Sequence, residues 1–227
     1  MNTLTMSKKM KKVVLLSLLV VSSLLAKAQP AFLRDLNGRP IFENSNVDVE
    51  GSPYLREEWS AGIVKAKSNR KSYEIAKLRY DAHTDELEYD QAGKLFRFGA
   101  ADVVEFSTGD GTFRSGFPAT NGLLPKNFFQ VLYDGEKIKL LKRIYVAIQI
   151  EKPYNSASTT KRFVKEEALY LLKDNAELLR FKKDKKSLFE AIPNDKHAEL
   201  EVFIKDQKLK LTKEEDVLRV LEKYGSI

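Results

Sequence analysis

No cysteine occurs in this chain of 227 residues. That absence removes disulfides, thiolate metal sites, cysteine nucleophiles and iron–sulfur ligation together. It also removes the anchoring cysteine that follows the leader of a bacterial lipoprotein. Histidine is scarce, with only His83 and His197. Two imidazoles leave few possible catalytic triads, and no G-x-S-x-G elbow supplies a serine nucleophile. Gly109-Asp110-Gly111 is not followed by Gly-Lys-Ser/Thr, so it is no phosphate loop. No acidic cluster has the EF-hand spacing of oxygen ligands. These gaps leave no catalytic residue, no metal site and no cofactor to nominate with any specificity. Hydrolysis by a pair of carboxylates is the one enzymatic chemistry left open, and the 32 acidic residues make that a weak constraint.

What is present is most distinctive at the start. Lys8, Lys9, Lys11 and Lys12 precede an apolar stretch over residues 13–25, and Ala26-Lys27-Ala28 follows as an A-x-A cleavage signal. This is the layout of a secretory signal peptide, with Gln29 as the new N-terminus. The apolar run falls short of the ~20 residues of a membrane-spanning helix. A retained membrane anchor is the alternative. The expectation is export by a signal peptide, to the periplasm or outside the cell, with no membrane span after cleavage.

Cleavage changes the charge argument. The whole chain has a net charge of +7, but residues 1–28 hold five lysines and no acid. The remaining 199 residues carry 34 basic and 32 acidic side chains. The basic character belongs mostly to the removed segment, so it does not imply nucleic-acid binding. A chain of this length, rich in Phe and Tyr, can form one sizeable core without disulfides.

Residues 29–59 read as an extended leader, polar up to Gly51. From Ser60 the sequence alternates in short strands. Within residues 73–80, Tyr73 and Ile75 have one parity, while Ala76, Leu78 and Tyr80 have the other, which predicts a bulge or bend. Leu87 and Tyr89 alternate with Glu86, Glu88 and Asp90, predicting a half-buried strand with a wet face. Asp134-Gly135 between alternating runs predicts a two-residue hairpin turn with φ > 0. Ile138, Leu140, Ile144, Val146, Ile148 and Ile150 share one parity, interrupted only by Lys142, where the strand is expected to bend or stop. A polar loop over residues 153–161 and a hairpin around Asp174-Asn175 follow. Residues 184–227 read as mostly helical. Asp195 is the expected cap of one helix, and Thr212 with Glu215 forms a capping box for the last, which ends at Gly225. The fold class is therefore α+β and mainly β. A twisted antiparallel meander over residues 60–182 is followed by a small helical portion, all in one domain.

Two groups of residues stand out as candidate sites. Tyr54 and Trp59 form an aromatic cluster that could serve as a binding surface; the plainer reading is that Trp59 anchors the leader on the sheet. Asp81, His83 and Asp85 have an i, i+2, i+4 spacing that could place three metal ligands on one side of an extended segment. The same string also reads as an ordinary turn between strands. The basic run Lys182-Lys183-Asp184-Lys185-Lys186 reads as a solvated turn.

Gly51-Ser52-Pro53-Tyr54-Leu55, Glu58-Trp59, Gly62-Ile63-Val64, Leu78-Arg79-Tyr80-Asp81 and Leu87-Glu88-Tyr89 resemble an uncharacterised family of exported, signal-peptide-bearing Bacteroidota proteins. The C-terminal end, from Tyr170-Leu171-Leu172 to Lys223-Tyr224-Gly225, is similar too. The resemblance implies an envelope location and carries no functional residues over. The leading expectation is a non-enzymatic interaction or structural module with an envelope protein as partner. The alternatives are a periplasmic carrier of a small apolar ligand or lipid, with the strand from Ile138 to Ile150 lining its cavity, and a carboxylate-dependent hydrolase.

Overall fold

Strand periodicity governs the backbone from Ser60 to Phe181. The computed structural model describes residues 38–41, 48–120, 122–152 and 159–227, all within the unit Asp35–Ile227. The expected signal peptide, most of the leader before Asp48 and residues 153–158 of the polar loop lie outside the described residues.

Among the described residues eleven strands form one antiparallel sheet. They are β1 (Arg39–Pro40), β2 (Ser60–Ala66), β3 (Ser72–Asp81), β4 (Glu86–Gln91), β5 (Lys94–Gly99), β6 (Val103–Thr108), β7 (Gly111–Arg114), β8 (Phe129–Asp134), β9 (Ile138–Glu151), β10 (Thr160–Lys173) and β11 (Glu177–Phe181). The spatial order is β1-β5-β4-β3-β2-β6-β7-β8-β9-β10-β11. Two meanders, β2–β5 and β6–β11, thus join along the β2–β6 pair. Helices α1 (Lys185–Glu190), α2 (His197–Asp206) and α3 (Glu214–Gly225) follow, with a 3-10 turn at Asn194–Lys196. The mainly β architecture with a small C-terminal helical portion is the one the sequence predicts. Among the described residues no helix is long and apolar enough to cross a membrane.

The parity switch in β3 is a true bulge. Ser60 pairs with Leu78 and Gly62 with Ile75, so Ala76 and Lys77 oppose a single residue. Both Ile75 and Leu78 are thereby buried although they are three apart. The long strand β9 runs through Lys142 without a break and pairs with β10 along its whole length, from Ile138↔Lys173 to Glu151↔Thr160. Lys142 sits among apolar side chains of its own parity because its ammonium reaches Glu214 at the start of α3, 2.8 Å away.

The turns correct the expectation in part. Asp134 pairs with Lys139, so the β8–β9 connection is longer than two residues, and Gly135 takes no positive φ. Glycine is required there by close approach: a Cβ would lie 2.5 Å from the Tyr133 ring. The two-residue turn with both φ positive is Ala92-Gly93, at 53° and 82°, between the paired Gln91 and Lys94. Asp174 and Asn175 also adopt positive φ in the β10–β11 hairpin.

The helix ends differ as well. The capping box does not form, since α3 begins after Lys213 without a side-chain cap. Asp216 accepts from the Lys210 backbone N–H instead, at 2.8 Å. Glu214, Glu215 and Asp216 crowd the first turn, where the helix dipole favours negative charge. Gly225 is the last helical residue and Ser226 the cap. Asp195 lies inside the 3-10 turn and caps nothing. The real side-chain cap is Asp184, which accepts from Ser187 N–H at 2.7 Å. His197, half-buried, sets its Nε2 3.1 and 2.8 Å from the carbonyls of Phe189 and Ile192, which satisfies the end of α1.

The β8–β11 part of the sheet is covered on both faces. Ile138, Leu140, Leu169 and Leu171 pack under Leu188, Leu200, Val217 and Leu221 of the helices. Leu141, Tyr170, Leu172 and Phe129 pack against Phe117 on the opposite face. Under the junction of the two meanders lies an aromatic core. Phe106 and Phe113 are direct cross-strand partners stacked at 4.8 Å, and Tyr80 and Phe128 close around Phe106 at 5.1 Å each. Such pairs add roughly 0.5–1.5 kcal/mol beyond the area they bury. Phe106→Ala should therefore lower unfolding stability by about 3–5 kcal/mol, read from the urea midpoint.

Candidate functional site

The expected wet face of β4 is buried at its centre, between the partly exposed Glu86 and Asp90. Glu88 is 2% exposed, and it stands directly between Arg79 on β3 and Arg97 on β5. Its Oε2 accepts from Arg79 at 2.8 Å and from the Tyr54 hydroxyl at 3.0 Å, and its Oε1 accepts from Arg97 at 2.6 Å. Burial alone would raise its carboxyl, but the hydrogen bonds from Arg97, Arg79 and Tyr54 outweigh it and hold the group below the usual range. The same burial, with Glu88 adding to it, pushes the Tyr54 phenol up to about 12. Arg97 continues the ladder to Glu86 at 3.3 Å, and Glu86 meets Arg39 of β1 at 2.7 Å.

Tyr54 and Trp59 belong to this ladder. The Arg79 guanidinium lies 3.6 Å from the Tyr54 ring centroid and 4.3 Å from that of Trp59. Both rings thus carry a cation of their own chain and fasten residues 54–59 to β3. Backbone bonds reinforce the strap: Leu55 N–H donates to Tyr80 O, and Ala82 N–H to Pro53 O. Glu50 adds to the edge of β10, bonding Lys161 and Phe163.

Asp81, His83 and Asp85 are not brought together as ligands. Asp81 accepts from the backbone N–H groups of His83 and Thr84, at 2.9 and 3.0 Å, shaping the turn. His83 Nδ1 meets the Val146 carbonyl at 2.9 Å. Asp85, at φ 59°, faces inward to Arg143. Among the described residues no three His, Asp or Glu side chains are grouped to hold a metal ion.

The Asp85–Arg143 pair is the most buried charge pair of the described residues, with both side chains under a tenth exposed. Arg143 donates through Nη2 to Asp85 at 2.5 Å and through Nη1 to Asp85 and to the carbonyls of Phe128 and Ile144. Tyr80 donates to the same carboxylate, and Asn127 Nδ2 donates to it at 2.7 Å. Burial, then the Asp85 charge, drives the Tyr80 phenol well above its ordinary value, so it remains a donor.

Beside this pair opens a cleft of about 870 Å³. The cross-strand row Lys65 (β2), Glu105 (β6) and Arg114 (β7) contributes one wall. A bulge in β6 brings Val104 into the lining next to Glu105. Lys67 and Arg70 stand at the β2–β3 turn, and Lys126 rises from the loop before β8. The β5–β6 connection lends Gly99, Ala100 and Ala101, and the loop lends Leu124 and Pro125. Six cations thus face three carboxylates. Each carboxylate is already engaged: Asp85 by Arg143, Glu86 by Arg39 and Arg97, and Glu105 by Arg114 at 2.8 Å. Lys65, Lys67, Arg70 and Lys126 have no carboxylate partner among the described residues.

Sequence reasoning missed this cleft. The only local signal was the same-parity pair Lys65 and Lys67, since the other cations come from distant segments. Comparison of the chain with protein-family models, with curated proteins and with solved structures gives no match in any of the three.

Removing one member of the buried pair leaves an uncompensated charge. Arg143→Met should cost about 3–5 kcal/mol in chemical denaturation at neutral pH. Glu88 makes a separate prediction about acid. Its folded pKa lies below its unfolded value near ~4.3, so its contribution is full above that value and fades as pH falls through the folded one. Glu88→Gln, less stable at neutral pH, should lose less further stability than the parent between neutral and acid pH in the same assay.

Proposed function

We propose that this chain is an exported, non-enzymatic binding module of a Bacteroidota cell envelope, and that its ligand is an anionic group received in the cleft beside Asp85. The observation that carries the reading is the four cations without a carboxylate partner among the described residues, Lys65, Lys67, Arg70 and Lys126, gathered around one concavity. The mature chain is otherwise nearly balanced in charge. A cleft whose cations outnumber its carboxylates, the latter each held by an arginine, carries a net positive field that draws in counter-ions. Its volume lies in the range of small-ligand sites, roughly 300–1,000 Å³.

The other readings find less support. A carrier lined by β9 needs the face from Ile138 to Ile150 to border a cavity. Ile138 and Leu140 are instead packed under the helices, and Ile148 and Ile150 are exposed. A carboxylate hydrolase needs a cleft carboxyl held protonated at neutral pH. The three cleft carboxylates are each bound by an arginine, and every described carboxyl whose titration is displaced is displaced downward.

Titration calorimetry with tripolyphosphate as a multivalent anion tests the reading. Saturable binding should weaken as salt is raised. It should fall at least tenfold in Lys65→Gln/Lys126→Gln, which changes two partly or fully exposed side chains and leaves folding intact. Absence of saturable binding, or binding indifferent to both substitutions, overturns it.

A further inference from the structure

The lining of the cleft says more about its ligand than charge alone. Resting on the reading of the cleft as an anion receptor, we propose that its ligand is an amphiphilic anion: a phosphate or carboxylate head on an aliphatic body. Lys65, Lys67, Arg70 and Lys126 supply the charge for the head. The same lining includes the apolar side chains of Ala100, Ala101, Val104, Leu124 and Pro125, with Gly99 and Gly116 contributing no side chain. Leu124 is 49% exposed, and it is held there rather than free to fold inward. Its N–H bonds to Asn127 Oδ1 at 2.6 Å, Asn127 in turn bonds to the buried Asp85, and Pro125 O accepts from Gly116 N–H at 2.7 Å. An exposed leucine fixed on a braced loop beside four cations is a preformed apolar contact.

The alternatives fit the lining less well. A small inorganic anion would leave most of the cleft and its apolar floor in water. A nucleotide or other flat ring would look for stacking partners, and no aromatic side chain lines the cleft among the described residues. An aliphatic body covers Leu124, Pro125, Val104 and the alanines while its head stays within reach of the lysines, whose own stems add apolar surface.

Calorimetry of the chain with inorganic phosphate, butyl phosphate and dodecyl phosphate, each below its micelle concentration, separates the two levels. Dodecyl phosphate should bind saturably and at least tenfold tighter than butyl phosphate, since each buried methylene is worth about fourfold. Leu124→Gln should reduce that ratio severalfold and leave the affinity for inorganic phosphate and the thermal midpoint unchanged. Equal affinity for all three phosphates overturns the amphiphile and leaves the anion receptor standing. No saturable binding of any of them overturns both. Flotation with phosphatidylcholine vesicles, with and without phosphatidylglycerol, then identifies the source of the head group. Co-flotation that requires phosphatidylglycerol and is lost in Lys65→Gln/Lys126→Gln supports a lipid in its bilayer. Dodecyl phosphate binding without co-flotation supports a soluble amphiphile.

Discussion

The Arg143–Asp85 pair holds two parts of the sheet that strand order places far apart. Asp85 belongs to the β3–β4 turn and Arg143 to β9, with β2, β6, β7 and β8 between them in the sheet. The sheet must curve for these ends to meet, and an ion pair out of water does not by itself reward that, because desolvation offsets most of its attraction. What makes it hold is the company around it. Tyr80, Asn127 and the carbonyls of Phe128 and Ile144 satisfy nearly every polar atom of the pair, and Val146 N–H donates to Ala82 O next to it. The aromatic cluster of Tyr80, Phe106, Phe113 and Phe128 packs under this arrangement. Burial of the rings and satisfaction of the charges are thus one event.

The cleft inherits its shape from the same centre. Its loop reaches Asp85 through Asn127, and its opposite wall begins at the β3–β4 turn that Asp85 ends. Around the other side of that turn, the strap of residues 50–59 is fastened by Tyr54 and Trp59 to the arginine–glutamate ladder. Cleft and fastening are therefore separate. Tyr54 and Trp59 are occupied by Arg79, in keeping with the plainer reading of Trp59 as an anchor, while Lys65, Lys67, Arg70 and Lys126 have no carboxylate partner among the described residues.

Periodic features were legible in the sequence and non-local ones were not. The β3 bulge could be read from Ile75 and Leu78, because parity is a property of neighbouring residues. The long alternation of β9 was equally plain. Asp134-Gly135 misled because the pair is compatible with several turns, and here glycine answers to the Tyr133 ring rather than to φ. Thr212 and Glu215 had the spacing of a capping box, yet the acids of the first turn serve the helix end without it. Glu88 read as a wet residue because nothing near it in sequence announces the arginines of the two flanking strands or the roof of Tyr54. The cleft was least legible of all: its cations lie at residues 39, 65–70, 114 and 126, and only the folded sheet gathers them.

The two-meander topology also bears on how the chain reaches this state. Within β2–β5 and within β6–β11 every pairing joins consecutive strands, so each meander can assemble from contacts close in sequence. The β2–β6 seam and the Arg143 centre span much longer loops and carry the larger closure entropy. Apart from the β1–β5 pair and the strap of residues 50–59, long-range order in the sheet is thereby concentrated at one seam and one clasp, which carry a closure entropy that the individual hairpins do not.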